Sequence, residues 1–487
     1  MRKIIHSGLA ECHYIGYSMS DPIDFAFGAA VLASALFASG HAVIYKRESR
    51  SASLWVVLIW VMPLLGPILY VLMGVNRVQR RAVRMRAFMV RHRADPQPVP
   101  GEPSGTHLAP LARMMNNVVE RPLLAGNSVE ALVDGVQAYP AMLEAIESAQ
   151  SSIMLASYIF NGDGIGAQFV DALARAKDRG VEVRVLVDDV DVRFTRSNAH
   201  KPLRRAGVPI GVFNPPLVPA RLNAVHLRNH RKILVVDGRI GFTGGMNIDR
   251  RYWNDSSKEV FRDLHFRLRG PVAAQLAEVF ADDWQFATGE ALRGAPWFVP
   301  LEAAGTVLAR CIDDGPDEST EPLRWSMVAG LNQAQRSVRI MTPYFVPDGS
   351  LITALDVAAM RGVDVDILLP ATSDLPHVHW AAWGQLWQVL ERGCHVWCSP
   401  GAFDHSKLMV VDGAWTLLGS ANWDARSLRL NFELNVECYS VEFGAHMEGL
   451  VLARINAAKP VTLSDINARP LPVKLRDGAA RLFAPFL

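Results

Sequence analysis

Cysteine and net charge are both scarce in this chain of 487 residues. The five cysteines are scattered and odd in number, which argues against a disulfide framework and suits a reducing compartment. Fifty lysines and arginines nearly balance 48 aspartates and glutamates, so the formal net charge is only +2. A charge so close to zero gives no support to a protein that binds nucleic acid through overall basicity.

Charged residues are absent from two long runs near the N-terminus, residues 25–45 and 54–75. Each run has about the ~20 residues that a helix needs to cross a bilayer. Pro63, Gly66 and Pro67 interrupt the second run, but membrane helices tolerate such residues where neighbours satisfy the backbone. We therefore predict a two-helix transmembrane hairpin. A pair of buried core helices is the alternative, which the lack of a polar face disfavours.

Positive charge around the two runs predicts their orientation. Lys46, Arg47 and Arg50 lie between the runs, whereas seven arginines follow within residues 77–93. The larger cluster is expected on the cytoplasmic side, together with the bulk of the chain. The same arginines form a candidate patch for anionic lipid head groups.

An internal repeat organises the remaining chain. Residues 149–186 and 334–368 share the order Ala-Gln-x-Ser, apolar run, Tyr, Asp, helical stretch, Arg-Gly-Val and second apolar run. Short apolar runs separated by helices predict βαβ units and a largely parallel, buried sheet. The predicted fold is α/β, with two pseudo-twofold-related halves that have mixed, largely parallel sheets. The predicted segments are an N-terminal tail (1–20), the hairpin (21–76), a basic flank and linker (77–110), a first half (111–300) and a second half with the C-terminal tail (301–487).

A motif of the form H-x-K-x-x-x-x-D occurs once in each half. One copy runs from His230 through Lys232 to Asp237, and the other from His405 through Lys407 to Asp412. A Gly-[Gly/Ser]-x-Asn segment follows each copy at the same distance and ends at Asn247 or Asn422. Residues two apart in a strand project from the same face, so each His and Lys could reach one ligand. Two copies in register predict one shared phosphate site between the halves.

The paired motifs resemble those of the phospholipase D superfamily, and their context resembles bacterial cardiolipin synthases. The stretches that carry the resemblance are residues 227–238, 241–247, 342–348 and 429–435, together with the N-terminal hairpin. The resemblance implies two phospholipase D-type halves and a phosphatidyltransferase of the inner membrane of a bacterial cell. It would move a phosphatidyl group between two phosphatidylglycerol molecules through a phosphohistidine, without cofactor or metal. The expected partners are this anionic phospholipid and the membrane, not nucleic acid; the oligomeric state stays open.

Ten residues are candidates for the site. The catalytic candidates are His230, Lys232, Asp237, His405, Lys407 and Asp412, and the substrate-binding or orienting candidates are Asn247, Asp263, Asn422 and Glu433. One histidine attacks phosphorus while the other serves as acid and base, and superfamily practice favours His230 as the nucleophile. Lysines and asparagines stabilise phosphoryl oxygens. By position and family pattern, Asp263 and Glu433 hold the imidazoles in their productive tautomer.

Several alternatives remain at this stage. Asp237 and Asp412 precede glycines, so a turn-forming role is favoured over substrate contact. The carboxylates of residues 188–191 depart from the family pattern and would repel phosphate unless turned away or paired with Arg193 or Arg196. Residues 471–487 suit a peripheral lipid-binding segment, core packing or a frayed tail. The rival functions are a phospholipase D hydrolase, another phospholipid synthase, a nuclease and a non-enzymatic membrane scaffold.

Overall fold

The computed structural model describes eight ranges of the chain: residues 22–46, 49–74, 101–103, 105–195, 197–214, 228–253, 260–316 and 321–484. They divide between two compact units, one within Met1–Arg77 and one within Val78–Leu487. The N-terminal tail (1–20), the arginine-rich flank (77–93) and Arg196 lie outside the described residues.

The N-terminal unit is helical. It contains α1 (Pro22–Tyr45), α2 (Ser49–Val61), α3 (Leu65–Leu69) and a π-helical turn (Tyr70–Gly74). By length and composition, the segment Asp24–Tyr45 is the one helix among the described residues that is long and apolar enough to cross a membrane. The second apolar run is not one continuous helix, so the prediction of two spanning helices is not confirmed.

Proline and glycine explain the interruption of the second run. Helix α2 ends before Pro63, whose ring and missing N–H oppose continuation of the helix. A Cβ atom on Gly66 would lie 2.6 Å from the Cα atom of Ile59, so only glycine permits α3 to pack this closely on α2. Tyr70 is then buried, and its hydroxyl lies 2.8 Å from Nδ1 of His41 on α1.

The second unit contains strands β1 to β18 and helices α4 to α17. The strands are β1 (Leu124–Val133), β2 (Ser152–Ser157), β3 (Glu182–Asp188), β4 (Ile210–Phe213), β5 (Arg228–Asn229), β6 (Ile233–Val236), β7 (Ile240–Gly244), β8 (Leu264–Arg269), β9 (Val307–Asp314), β10 (Ser337–Met341), β11 (Phe345–Val346), β12 (Asp364–Pro370), β13 (His395–Ser399), β14 (Leu408–Val411), β15 (Trp415–Gly419), β16 (Trp423–Asp424), β17 (Asn431–Tyr439) and β18 (Lys459–Val461). The helices are α4 (Ala109–Asn116), α5 (Asp134–Ser148), α6 (Ile165–Asp178), α7 (Asp189–Phe194), α8 (His200–Arg205), α9 (Val272–Thr288), α10 (Pro322–Gln333), α11 (Gly349–Met360), α12 (Pro376–Trp383), α13 (Leu386–Leu390), α14 (Ala425–Arg429), α15 (Val441–Asn456), α16 (Leu463–Ala468) and α17 (Leu471–Arg481), with a 3₁₀ turn at Arg250–Tyr252.

One mixed sheet runs through the whole second unit. Its order is β4-β3-β2-β6-β7-β8-β1-β9-β17-β15-β14-β10-β12-β13-β18, and β5 pairs with β17. Outward from the β1–β9 pair, the six strands β8-β7-β6-β2-β3-β4 of one arm correspond to β17-β15-β14-β10-β12-β13 of the other, and β18 adds a strand to the end of the second arm. The prediction of an α/β fold built on a repeat is therefore confirmed.

The prediction of a mixed sheet is confirmed, but the prediction that most of its pairs are parallel is wrong. Within the main sheet as described, parallel pairing is confined to β2-β3-β4, β10-β12-β13 and the short β5–β17 pair, whereas the central strands pair antiparallel. Strands β11 and β16 form a separate parallel pair. The reason lies in the two tight turns that follow the motif strands. Asp237-Gly238 and Asp412-Gly413 all have φ between +53° and +64°. Such turns return the chain directly beside itself and so force antiparallel neighbours.

Helices cover both faces of the sheet. Helices α9 and α15 cover one face across both arms, where they bury residues such as Phe280 and Met447. On the opposite face, α5 and α6 cover the first arm, and α10 and α11 cover the second. The sheet is thus buried on both sides, which leaves polar side chains at the strand ends as the exposed chemistry.

Candidate active site

The backbone around His230 crosses from the first arm to the second. Strand β5 pairs in parallel with the start of β17, and the His230 amide donates to the Phe432 carbonyl at 2.9 Å. This pairing brings His230 Nδ1 to 3.0 Å from Oε2 of Glu433. The Glu433 carboxylate is fully buried, whereas the imidazole retains 12% exposure. The histidine therefore faces solvent with the carboxylate behind it.

The second motif makes the same crossing in the opposite direction. Arg262, just before β8, forms a parallel bridge with Asp404, and the His405 amide donates to the Arg262 carbonyl at 2.8 Å. His405 Nδ1 then lies 3.0 Å from Oδ2 of Asp263. Each carboxylate thus contacts the histidine of the other motif. Engaging Nδ1 in this way leaves Nε2 of each ring for chemistry.

The two lysines join the same cluster. Lys232 Nζ donates to the carbonyl of His230 at 2.7 Å, and Lys407 Nζ donates to that of His405. The charge of the lysine of the opposite motif also lowers the pKa of each histidine. Burial lowers the pKa of Lys232 to about 7 and that of Lys407 to about 8, although the two carboxylates oppose this shift. An anionic ligand would therefore stabilise the charged form of both lysines.

Both imidazoles are neutral in this environment. Burial lowers the pKa of His230 to about 4, and the two lysines add to the effect against the opposing Glu433. Burial and the same lysines hold the pKa of His405 well below its ordinary value. A neutral imidazole has a free lone pair, so both rings are competent bases or nucleophiles at neutral pH.

The two carboxylates differ in their surroundings. Burial opposes ionisation of Glu433, but its pKa is lowered by His230, by Lys232 and by a hydrogen bond from the Ser420 hydroxyl at 2.6 Å. Asn431 donates to its other oxygen at 3.1 Å. Glu433 is therefore ionised at neutral pH.

Asp263 has no counterpart to the Ser420 hydroxyl. The equivalent residue is Gly245, where a Cβ atom would lie 2.5 Å from Oδ1 of Asp263. The amide of Leu264 donates to that oxygen at 2.7 Å, but burial dominates and raises the pKa of Asp263 to about 8. Burial therefore favours the protonated form of Asp263, whereas the surroundings of Glu433 favour its ionised form.

The two asparagines lie behind the motif strands. Asn247 Oδ1 accepts from the Ile159 amide at 3.2 Å. Asn422 Nδ2 donates to the Ser427 hydroxyl at 3.2 Å, and its buried Oδ1 has no hydrogen-bond partner among the described residues. Rotation of this amide would pair Oδ1 with Ser427 and turn Nδ2 toward the unpaired position.

Asp237 and Asp412 do not join the histidine cluster. The amides of Gln150, Ser151 and Ser152 donate to Asp237. The amides of Gln335, Arg336 and Ser337 donate to Asp412 in the same way, and His107 Nε2 lies 2.6 Å from its Oδ2. Both lie at the far ends of β6 and β14 from the histidines. These contacts favour the turn-forming role over substrate contact, and a catalytic role for either aspartate stays a prediction.

We predict that Asp412→Asn lowers stability but not chemistry. Asparagine tolerates the φ of +54°, but its NH₂ would face hydrogen-bond donors. The free energy of unfolding should fall by about 1–3 kcal/mol because buried donors lose their acceptor. Thermal unfolding and kcat would be measured beside an exposed control, Glu442→Gln. An unchanged melting temperature with a hundredfold loss of kcat would instead indicate a catalytic role.

The carboxylates of residues 188–191 are largely paired or turned inward. Asp188 accepts from the Asn229 amide at 2.8 Å and lies 3.3 Å from Arg228, so it ties β5 to the end of β3. Asp189 pairs with Arg193 at 2.8 Å, as the sequence alternative proposed. Asp191 is fully buried, and burial raises its pKa to about 7.

Aromatic residues that the sequence analysis did not assign to the site surround the histidines. The Tyr158 ring lies 5.0 Å from that of His230 and 5.4 Å from Lys232 Nζ. The Tyr252 hydroxyl lies 3.1 Å from Nδ1 of His405. Tyr344 has the position in the second repeat that Tyr158 has in the first, and its ring lies 6.3 Å from that of His405. The matching positions of Tyr158 and Tyr344 in the two repeats were the sequence signal that could have identified these two residues.

The two arms are related by the repeat, and each brings one His-Lys pair to a common junction. This arrangement defines a phospholipase D-like class of protein. A family model described as "Cardiolipin synthase, PLD-like domain" matches residues 142–284 and 327–451, and a "Phospholipase_D-nuclease N-terminal" model matches residues 33–74. This chain belongs to the cardiolipin synthase family of phospholipase D-like proteins. The prediction of an enzyme of this family is confirmed.

Individual relatives agree along nearly the whole length. A cardiolipin synthase of Geobacillus thermodenitrificans is 32% identical over 95% of this chain and 94% of its own length. The major cardiolipin synthase ClsA of Bacillus subtilis is 31% identical over 91% of this chain and 96% of its own. The crystal structure of phosphatidylserine synthase from Haemophilus influenzae has a TM-score of 0.60 at 16% identity, and covers 78% of this chain and 100% of its own. The latter likeness shows the fold alone. The N-terminal match and the apolar helix α1 together indicate membrane association.

Proposed function

We propose that this chain is a cardiolipin synthase that transfers a phosphatidyl group from one phosphatidylglycerol to another and releases glycerol. The observation that carries the proposal is the crossed pair of half-sites. Two neutral imidazoles, each backed by a buried carboxylate of the opposite arm, flank two ammonium groups. An anionic phosphodiester satisfies these cations, and two histidines supply the nucleophile and the acid that its exchange requires.

In the first step, Nε2 of His230 attacks phosphorus and the bond to the glycerol oxygen breaks. His405 gives its Nε2 proton to the leaving alkoxide and takes the proton of Asp263 on Nδ1. The product is a phosphatidyl group covalently held on His230, with free glycerol. The positive charge that develops on the His230 ring is stabilised by the ionised Glu433 at 3.0 Å.

In the second step, a hydroxyl of another phosphatidylglycerol gives its proton to Nε2 of His405. Its oxygen attacks phosphorus, the P–N bond breaks and His230 returns to the neutral imidazole, while His405 gives its Nδ1 proton back to Asp263 and restores the starting state. The reaction exchanges one phosphodiester for another, so no nucleotide, cofactor or metal enters the balance. Water as the acceptor would yield phosphatidic acid by the same route.

The assignment of His230 as nucleophile is supported by the proton inventory of the two pairs. Glu433 has a lowered pKa and His230 has a lone pair, so this pair offers a nucleophile. Burial raises the pKa of Asp263 to about 8, so its pair with His405 offers the acid. Environments that push the pKa values of two carboxylates apart are typical of active sites in which one group acts as the acid and the other as the base.

The lysines and asparagines would bind the phosphoryl oxygens. Each ammonium has three N–H donors, of which one goes to its own histidine's carbonyl. Nδ2 of Asn422 would add a donor once its amide is rotated. These groups supply fixed positive charge at the position where negative charge builds up on phosphorus oxygens.

A two-helix membrane hairpin would anchor the enzyme. Helix α1 supplies one span, and the charge-free run 54–75 supplies the other despite the break after α2. The arginine excess after the second run favours a cytoplasmic catalytic unit in the inner membrane of a bacterial cell. Both substrates would then be reached from the surface of the same leaflet.

The reaction is tested with labelled phosphatidylglycerol and the full-length protein in detergent. Cardiolipin and glycerol in equal amounts are the expected products. Phosphatidic acid as the only lipid product would make the chain a hydrolase, and no turnover of phosphatidylglycerol would refute the proposal. His446→Ala, an exposed histidine on α15, serves as the control that should retain full activity.

The rate should fall at alkaline pH. The Asp263–His405 pair holds its proton below the raised pKa of Asp263, about 8, and loses it above. Lys407 loses its charge in the same window and Lys232 loses its charge at lower pH, because burial lowers their pKa to about 8 and about 7. At saturating substrate, kcat should therefore begin to fall at about pH 7 and should drop about tenfold or more for each pH unit above roughly pH 8. A rate that still rises above about pH 9 would contradict the assigned acid.

A further inference from the structure

The C-terminal helix α17 is firmly held on the second arm. Its Asp477 is 1% exposed, and it accepts hydrogen bonds from Arg469 and Arg476. A Cβ atom on Gly384, after α12, would lie 2.8 Å from the Asp477 carbonyl oxygen, so the two helices approach closely. The Arg476 guanidinium lies 4.6 Å from the Trp380 ring of α12. These contacts hold α17 in place and so argue against a frayed tail over the residues of this helix.

The outer side of α17 carries an apolar surface that no described residue covers. Leu471, Leu475 and Leu482 are 69%, 64% and 77% exposed. Their spacing of four and seven residues places them in one stripe along the helix. Phe483, just beyond the helix, is 61% exposed. We call these four residues the leucine stripe; their exposure argues against core packing of these four side chains.

Basic side chains flank the leucine stripe. Lys474 and Arg481 are exposed and lie one residue before Leu475 and Leu482, so both fall on the same edge of the stripe. The one acidic residue of α17, Asp477, is buried on the opposite side and paired with arginines. The exposed face of the helix is therefore apolar with a purely cationic border, as in helices that lie in a membrane interface.

The helix also adjoins the His405 half-site. Ala480 of α17 packs against a buried cluster that contains Tyr344, Val346 and Phe403. The ring of Phe403 lies 5.9 Å from that of His405, and the Tyr344 ring lies 6.3 Å from it. One layer of aromatic side chains thus separates the helix from the reacting imidazole.

We propose that the leucine stripe docks on the surface of a bilayer that contains anionic phospholipid, and so holds the His405 half-site at head-group level. The stripe enters the interface while Lys474 and Arg481 bind lipid phosphates. A second copy of the chain is the disfavoured occupant, because two such cationic borders would repel each other. The proposal rests on the proposed function, since it names the surface from which the lipid substrate reaches that site.

The position of the stripe is tested with an environment-sensitive fluorophore on Leu482→Cys, in a background where Cys12 and Cys398 are serine. The full-length protein is reconstituted into vesicles of phosphatidylglycerol and phosphatidylcholine, or of phosphatidylcholine alone. We expect a blue shift and quenching by spin-labelled lipid, both stronger with the anionic lipid. Absence of quenching in anionic vesicles overturns the proposal. A blue shift that depends on protein density and resists lipid quenchers overturns it in favour of a second copy.

Its role in catalysis is tested with the double variant Leu475→Asp/Leu482→Asp. On vesicles, kcat/KM should fall about tenfold or more, because two leucines no longer enter the interface. On monomeric short-chain phosphatidylglycerol, the rate should match the unmodified protein. The control is Val441→Asp, an equally exposed apolar residue (71%) on α15, which should behave as the unmodified protein on both substrates.

The outcomes separate the two proposals. An unchanged rate on vesicles, or an equal loss on both substrates, refutes docking through the stripe. Absence of any transfer by the unmodified protein on the monomeric substrate would instead refute the proposed function. The chemistry is read from the soluble substrate, and the docking from the ratio of the two rates.

Discussion

Replacement of His405 by alanine is expected to trap the covalent intermediate, whereas replacement of His230 is expected to prevent it. In the proposed mechanism, His230 supplies the nucleophile, and His405 supplies the proton for the leaving group and then deprotonates the acceptor. Each variant should lose about three to six orders of magnitude in kcat on phosphatidylglycerol, as found for residues that act as one unit. With a phosphatidyl ester of a phenol, whose phenolate leaves without a proton, His405→Ala should form the adduct on His230 and fail to release it.

The adduct is mapped by peptide mass after acid-free digestion. A phosphatidyl group on the peptide that contains His230 supports the assignment. An adduct on His405 in the His230→Ala variant would reverse the roles of the two histidines. Full synthesis in both single variants would refute the shared site altogether, and His446→Ala controls for non-specific effects of removing an imidazole.

The crossed pairing of carboxylates and histidines has an equally large expected effect. Glu433→Gln should impair the attack by His230, because the developing imidazolium loses its counter-charge. Asp263→Asn should impair protonation of the leaving group by His405, because the buried proton donor is gone. By analogy with other carboxylate–histidine pairs, each change should lower kcat on phosphatidylglycerol by about 10³–10⁴-fold.

The leaving group distinguishes the two losses. Release of phenol from the phenyl ester needs no acid, so Asp263→Asn should regain most of its first-step rate on that substrate. Glu433→Gln should stay slow, since the attack itself is affected. The reverse pattern, with rescue of Glu433→Gln alone, would mean that His230, which contacts Glu433, supplies the acid and that His405 is the nucleophile. Glu442→Gln, an exposed acid on α15, is the control.

Local patterns predicted the elements that depend on neighbouring residues. Four consecutive apolar residues after each His-x-Lys form β6 and β14, and Asp-Gly after each forms a turn with positive φ. The turn-forming role of Asp237 was also derivable, since aspartate accepts from local backbone amides at such turns. Pairing between strands is a property of distant segments, and the prediction of a largely parallel sheet failed for that reason.

The second apolar run shows the limit of composition as a guide. Residues 54–75 lack charge and have the length of a span, yet α2 ends at Val61 and α3 packs back through Gly66. Hydropathy sums over a window and does not register where a proline ends a helix. The structure shows the break between α2 and α3, with the backbone of Gly66 packed closely against that of Ile59.

The sequence by itself identified the candidate groups of the site. The repeat presents each His-Lys pair and its asparagine twice, and the two carboxylates follow from their position after each motif and from the family pattern. Tertiary structure alone decided which carboxylate serves which histidine. The short β5–β17 pairing and the Arg262–Asp404 bridge carry each motif across to the other arm. The same structure made the half-sites unequal, with Ser420 beside one carboxylate and Gly245 beside the other. Spacing along a chain records which groups are present, whereas burial and hydrogen bonding between distant strands set where each proton resides.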